Sequence, residues 1–200
     1  MNLRKSIKMR AAKLATVLLG CLVLFVLTGC GPGQRELMPL EVGKSWTYHV
    51  IAGLNTPVES VKVVRPVAVD GVEGYELNGP LGVSRLAWKQ NSLIAGSTAN
   101  LIFHPALPLL AANGKKTAWA GEVTWLGRAI KATADISQEP NSLQLSPRTL
   151  ETIKSTVVLH LPSRSLFLET WFAPTQGIVK QIQRGAGNRV DIELDVVQSS

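Results

Sequence analysis

The chain has 200 residues, with 21 Lys and Arg against 14 Asp and Glu, a formal net charge of +7. Five of the basic residues fall within the first 29 positions, which hold no acid, so the remaining 171 residues carry 16 bases and 14 acids. That near-neutral balance, with no basic run beyond Lys115-Lys116, excludes the clustered positive footprint of a nucleic-acid binder.

Arg4, Lys5, Lys8, Arg10 and Lys13 precede an uncharged, mostly apolar stretch from Leu14 to Thr28, which ends at the small Gly29. This is the layout of an export signal. At 15 residues the apolar stretch is shorter than the roughly 20 that a spanning helix needs, and Gly31-Pro32-Gly33 would not extend it. Leu27-Thr28-Gly29-Cys30 resembles the lipobox of bacterial lipoproteins. The resemblance implies cleavage before Cys30, a diacylglycerol on its thiol and further acylation of the new amino group. Stable anchoring takes more than one acyl chain, a requirement such a residue meets. Residue 31 is Gly rather than the Asp that resembles an inner-membrane retention signal, which favours the outer membrane where the source has one. The expected organisation is a signal peptide over 1–29 forming an N-terminal helix, a lipidated cysteine and tether over 30–38, and a single β-rich domain over 39–200.

The only other cysteine, Cys21, lies inside the signal, so the mature chain has no disulfide and no thiolate metal site. Its stability must come from a packed core, to which Trp46, Trp88, Trp119, Trp125 and Trp171 can contribute heavily. In chain order, Ser45–Ile51 is aromatic and β-branched, as a strand requires. Val58–Val69 and Val72–Leu77 flank Asp70-Gly71, a hairpin signal, and Pro66 marks an edge or bulge. A strand pair follows over 84–97, bent at Gln90-Asn91. The apolar segment 101–112 carries Pro105 and Pro108 and reads as a loop or broken helical turn. Thr117–Trp125 is a strand with a turn near Gly127. Ile130, Ala132, Ala134 and Ile136 then alternate with polar residues at a period of two. Residues 138–148, with Pro140, Asn141 and Pro147, read as a loop around a short strand. Further strands cover 153–161, 166–172, 178–183 and 189–197, and no sustained helical period occurs. Short strands with frequent turns imply a mainly β, antiparallel domain: a strongly curved sheet or an open barrel, with a β-sandwich as the alternative.

Chemistry is sparse. His49, His104 and His160 have no partner at metal-ligand spacing, and no nucleophile elbow occurs. A Ser-His-Asp set would have to assemble from distant residues, and the expectation is a protein that is not an enzyme and needs no cofactor or metal. Gly185-Ala186-Gly187 lacks a third glycine and a following helix, so it is a hairpin loop rather than a nucleotide loop. Asp191, Glu193 and Asp195 share one strand face opposite an apolar one, which marks a solvated outer face more than a calcium site. Trp119 and Trp125 flank one strand beside the Pro-broken apolar segment that contains Leu109. These three residues are the candidate lining of an apolar ligand cavity.

Two stretches carry a further resemblance. "MPLEVGKSWTYHV" (38–50) resembles the "PL..G..W.Y" opening of a group of uncharacterised bacterial envelope proteins, many of them lipoproteins. "ETWFAPTQGIVKQ" (169–181) resembles their closing "W(Y/F)APG.G.VK" segment. "LPLLAANGKKTAWAGE" is similar to a second copy of the opening phrase, and "LSPRTLETIK" takes the place of their "aGtF..v" segment. The chain departs from the pattern at Thr175-Gln176, where Gly-Val is usual, and at Arg148, where a Gly is usual. In physical terms Leu40, Trp46 and Trp171 anchor strands, while Gly43 and Gly177 permit tight turns. The group implies a β-rich fold similar to the curved sheets of periplasmic lipoprotein carriers that bind acyl chains. Two roles follow as expectations: holding a lipid, or docking to an envelope protein through a sheet edge or loop.

Overall fold

The computed structural model describes residues 33–53, 56–112, 114, 116–145, 147–185, 187 and 189–197. The signal helix, the lipobox and Cys30 lie outside the described residues. The chain divides at Gly33, and the unit from Gln34 onward is an antiparallel β structure of twelve strands. They are β1 (Ser45–Ile51), β2 (Val58–Val69), β3 (Val72–Gly79), β4 (Gly82–Lys89), β5 (Ser92–Thr98), β6 (Leu101–Leu110), β7 (Thr117–Trp125), β8 (Arg128–Leu145), β9 (Arg148–Leu161), β10 (Arg164–Ala173), β11 (Gly177–Arg184) and β12 (Val190–Val196). Every strand pairs with its neighbours in sequence, and β1 closes the ring on β12 from Tyr48↔Val196 to Ile51↔Glu193. The curved-sheet expectation is thus met as a closed up-and-down barrel, and the sandwich alternative falls.

Alternation dictates the walls. Trp46, Tyr48 and Val50 of β1, Ala132, Ala134 and Ile136 of β8, and Val157 and Leu159 of β9 are buried and share one core. An eight-stranded barrel is just wide enough for side chains to fill. This wider ring is filled because non-adjacent strands reach across it. The Ser155 hydroxyl of β9 donates to the Leu109 carbonyl of β6. Gln138 of β8 brackets Ala111, accepting from its amide at 2.8 Å and donating to its carbonyl at 3.0 Å.

The barrel has two unlike ends. At one, a 3-10 turn (Gln34–Leu37) lies across the mouth with Leu37 and Met38 buried. Trp88 Nε1 donates to the Met38 carbonyl at 3.0 Å, the Thr175 amide to the Glu36 carbonyl at 2.7 Å, and Gln34 Nε2 to the Ala111 carbonyl at 3.3 Å. The packed unit therefore begins within the segment expected to be a tether. This plugged end also carries the turns at Asp70-Gly71 and Gln90-Asn91, all four residues at positive φ as tight hairpins require. The opposite, far end carries the turns β1–β2, β3–β4, β5–β6, β7–β8, β9–β10 and β11–β12.

Two expected loops are strands. Segment 101–112, read as a broken turn, continues as β6 to Leu110. Proline removes one ladder donor, which matters only where both flanks are paired. Pairing of β6 with β7 stops at His104, so Pro105 has no partner there and Pro108 pairs only with Ile94 of β5. Pro66 and Pro140 likewise lie beyond the reach of one neighbouring strand, and a register shift sits beside Pro66 at Val63/Arg65.

Segment 138–148 forms the tip of a long β8–β9 arm. Along β8 the buried positions are even up to Ile136, whereas beyond Gln138 the half-buried ones are odd: Asn141, Leu143 and Leu145. A change of phase sends the other face of the ribbon inward. Leu143 and Leu150 pack on the outer side of β10 and β11 against Trp171, Val179 and Ile182, a small second core.

Candidate functional site

The three candidate cavity residues do not converge. Trp119 points into the core, its ring edge-on to Phe103 with centroids 6.0 Å apart, and Nε1 donates to the Pro105 carbonyl at 3.1 Å. It fastens β7 to β6 where their ladder has ended. Trp125 lies at the far end, with the Arg164 guanidinium 4.1 Å over its ring. Leu109 does line an interior void, together with Met38, Trp46, Tyr48, Gln181 and Leu194, but its volume is about 40 Å³. A water needs at least ~10–15 Å³ and small-molecule pockets run from about 300 Å³. The void suits a water or two, and neither Trp119 nor Trp125 reaches it.

The polar groups beside that void are partnered. Tyr48 Oη donates to the Ile178 carbonyl at 2.7 Å, and burial pushes its phenol well above the ordinary range. Gln181 Nε2 donates to Thr170 Oγ1 at 3.4 Å. The opening and closing motifs of the sequence meet here. Trp46 Nε1 donates to the Gln176 carbonyl, and its ring lies against Gly177 so closely that a Cβ there would sit 3.0 Å from Nε1. Gly177 has φ +82°, so the position demands glycine twice over. Thr175, where the resembling proteins have Gly, adopts φ +65° and is held by its amide bond to Glu36.

His49 and His104 are exposed on the wall. Among the described residues His160 stands in a constellation: Nδ1 lies 3.2 Å from Ser165 Oγ and Nε2 3.0 Å from Asp135 Oδ2. The grouping follows from register. Ser165 faces His160 across the β9–β10 hairpin, and Asp135 lies diagonally on β8. Spacing along the sequence hid it, although a five-residue interval straddling Pro162-Ser163 is what a cross-strand pair looks like. An open groove of about 760 Å³ runs beside it, lined by His104, Glu122, Lys131, Thr133 and His160. Acyl transfer also needs amide donors aimed at a developing oxyanion. His160 is laddered on both flanks, to β8 and to β10, whereas Ser165 pairs only with β9 because the β10–β11 ladder begins at Phe167. Asp135 and His160 are solvent-exposed, so their charges act at high dielectric.

The three carboxylates of β12 divide. Glu193 and Asp195 both accept from Lys180 Nζ, Asp195 at 2.8 Å. Burial alone would lower the Lys180 ammonium, but these two bonds outweigh it and raise it. One strand along, Glu169 accepts from Lys154 at 2.5 Å and Arg184 at 3.3 Å. Burial pushes its carboxyl up, and the two cations more than reverse that. Across the barrel Glu76 is clamped by Nε and Nη2 of Arg65, at 2.9 and 3.0 Å, and by Arg85 at 3.1 Å. The Arg65 bond holds it below the usual carboxylate range. Among the described residues no group of three His, Cys, Asp or Glu is placed to hold a metal ion.

No family model matches the chain, and no curated protein matches it. Three solved structures are similar. One is a candidate lipoprotein from Parabacteroides distasonis, 12% identical with a TM-score of 0.47, covering 80% of this chain and 96% of that one. A second is a candidate exported protein with a YmcC-like fold from Bacteroides fragilis, 10% identical with a TM-score of 0.46 and the same coverages, 80% and 96%. The third is the hypothetical lipoprotein YmcC of Escherichia coli, 11% identical with a TM-score of 0.39, covering 84% and 89%.

Proposed function

We propose that this chain is a non-catalytic lipoprotein of the bacterial cell envelope, anchored by acyl chains on Cys30, whose barrel docks an envelope partner by its outer surface. Leu27-Thr28-Gly29-Cys30 behind a short apolar stretch supports the anchor, and Gly31 favours the outer membrane where the source has one. The observation that carries the docking role is the close packing around Leu109 among the described residues. The void there, about 40 Å³, is too small for an acyl chain, which favours a scaffold over a carrier. The exposure of His160 and Asp135, whose charges act at high dielectric, supports a non-catalytic role.

Radiolabelled palmitate should enter the wild type and not Cys30→Ser. Equal uptake by both, or by neither, sinks the anchor. Native mass spectrometry of the full chain released from mild detergent should give the polypeptide with its anchor and no additional lipid. A stoichiometric extra lipid overturns the scaffold reading. A hydrolase screen whose signal vanishes in His160→Ala overturns the non-catalytic one.

A further inference from the structure

Five large apolar side chains stand exposed around the far end: Val58 opening β2, Val83 in β4, Ile102 in β6, Leu126 in the β7–β8 turn at 81% exposure, and Val190 opening β12. Each lies within two residues of a different far-end turn. At the plugged end the same comparison yields Val42 alone among the described residues. Arg128, Arg164 and Arg189 stand at or beside three far-end turns, with Arg184 beside one of them but paired to Glu169, against Glu59 and Asp191 within the same distance of a turn. We infer that this rim is a docking face for a protein partner that presents an apolar patch bordered by carboxylates.

The inference rests on anchoring at Cys30, and chain length then decides between a protein and the anchoring bilayer. Gln34 is pinned at the plugged end through Ala111. Three residues separate it from Cys30, so four chain steps give a reach of at most about 14 Å. Wall strands such as β6 and β10 have ten residues. Inclined as barrel strands are, ten residues hold the two ends about 25 Å apart. A ring of five residues can meet a plane together only when its end faces that plane, and the tether is too short for such an inversion. A second copy meeting rim to rim would oppose Arg128, Arg164 and Arg189 to themselves. What complements an apolar ring with excess guanidinium is an apolar surface with acids at its border.

The test places the photocrosslinker p-benzoylphenylalanine at Leu126, Val83 or, as a plugged-end control, Val42, in the full-length chain within its own envelope. From Leu126 and Val83 we expect one adduct of common mass, several-fold above that from Val42. Mass spectrometry should map it to an apolar segment flanked by Asp or Glu. The Arg128→Glu, Arg189→Glu double variant should reduce the yield several-fold with the melting temperature unchanged. Adducts with lipid, adducts with a second copy, yields equal to Val42, insensitivity to the charge reversal, or no adduct from a folded chain each overturn the docking face. Palmitate labelling of the same cells reads the anchor separately. Absent label marks failure of the anchoring reading, and a wrong adduct pattern marks failure of the rim.

Discussion

The two ends of the barrel are built from the same strands and treat apolar residues in opposite ways. At the plugged end Leu37, Met38 and Trp46 are withdrawn from water, and the N-terminal segment is bonded to three separate wall elements. At the far end Val58, Val83, Ile102, Leu126 and Val190 are left in water. Burial of such side chains is worth about 1.5–3 kcal/mol each, so leaving five exposed forgoes stability. The difference teaches that the plugged end carries cohesion and that the far end is shaped by something other than cohesion.

The sharpest way to break this contrast is Trp46→Ala. It empties the junction between the opening and closing motifs and should cost about 3–5 kcal/mol in chemical denaturation. A cost below about 1 kcal/mol would show that the plugged end is not a keystone.

Acid and alkali probe the walls between the ends. Glu76 and Glu169 have folded pKa values below the ordinary 4.5, so the stability they contribute is present above that value and lost as pH falls through the depressed values. Lys180 is raised above 10.5, so its contribution is present below that pH and lost as pH rises through the raised value. The melting temperature should be flat across the neutral range and fall on both sides. A continuous slope through pH 6–8, checked by scanning calorimetry, would show that these three groups do not govern the pH dependence.

Smaller effects separate strain from exposure. Thr175→Gly should stabilise by up to about 1 kcal/mol, because a β-branched residue at φ +65° is costly and glycine is not. A loss of stability would mean that the threonine hydroxyl outweighs the strain. Leu126→Ser at the far end should change stability by less than about 0.5 kcal/mol, as fits a side chain with nothing to lose. A drop comparable to that of Trp46→Ala would erase the distinction between the ends.

Much of the wall was legible because alternation and turn chemistry are local. Ser45–Ile51 matches β1, and Asp70-Gly71 and Gln90-Asn91 turn where expected. The prolines misled at Pro105, Pro108 and Pro140, because whether a strand tolerates one depends on how many neighbours it has, a property of the assembled ring. The segment beyond Ile136 reads in sequence as a loop around a short strand, although its change of phase records a ribbon turning its other face inward. His160, Ser165 and Asp135 escaped because their proximity depends on register. Trp119 and Leu109 were found as buried apolar positions, but sequence alone could not tell a packed residue from one lining a cavity.

Closure of the ring by β1 on β12 has a consequence for the timing of folding. Every other pairing joins neighbours in sequence and can form as soon as its hairpin exists. The seam Tyr48↔Val196 joins the first strand to the last, so the loop-closure entropy of nearly the whole domain falls on one late step. A chain threaded through a membrane from its N-terminus could form eleven strands and still show two unsatisfied edges to its surroundings. Until β12 emerges the protein is a ribbon open to mispairing, and chaperone protection during export would matter most in that interval.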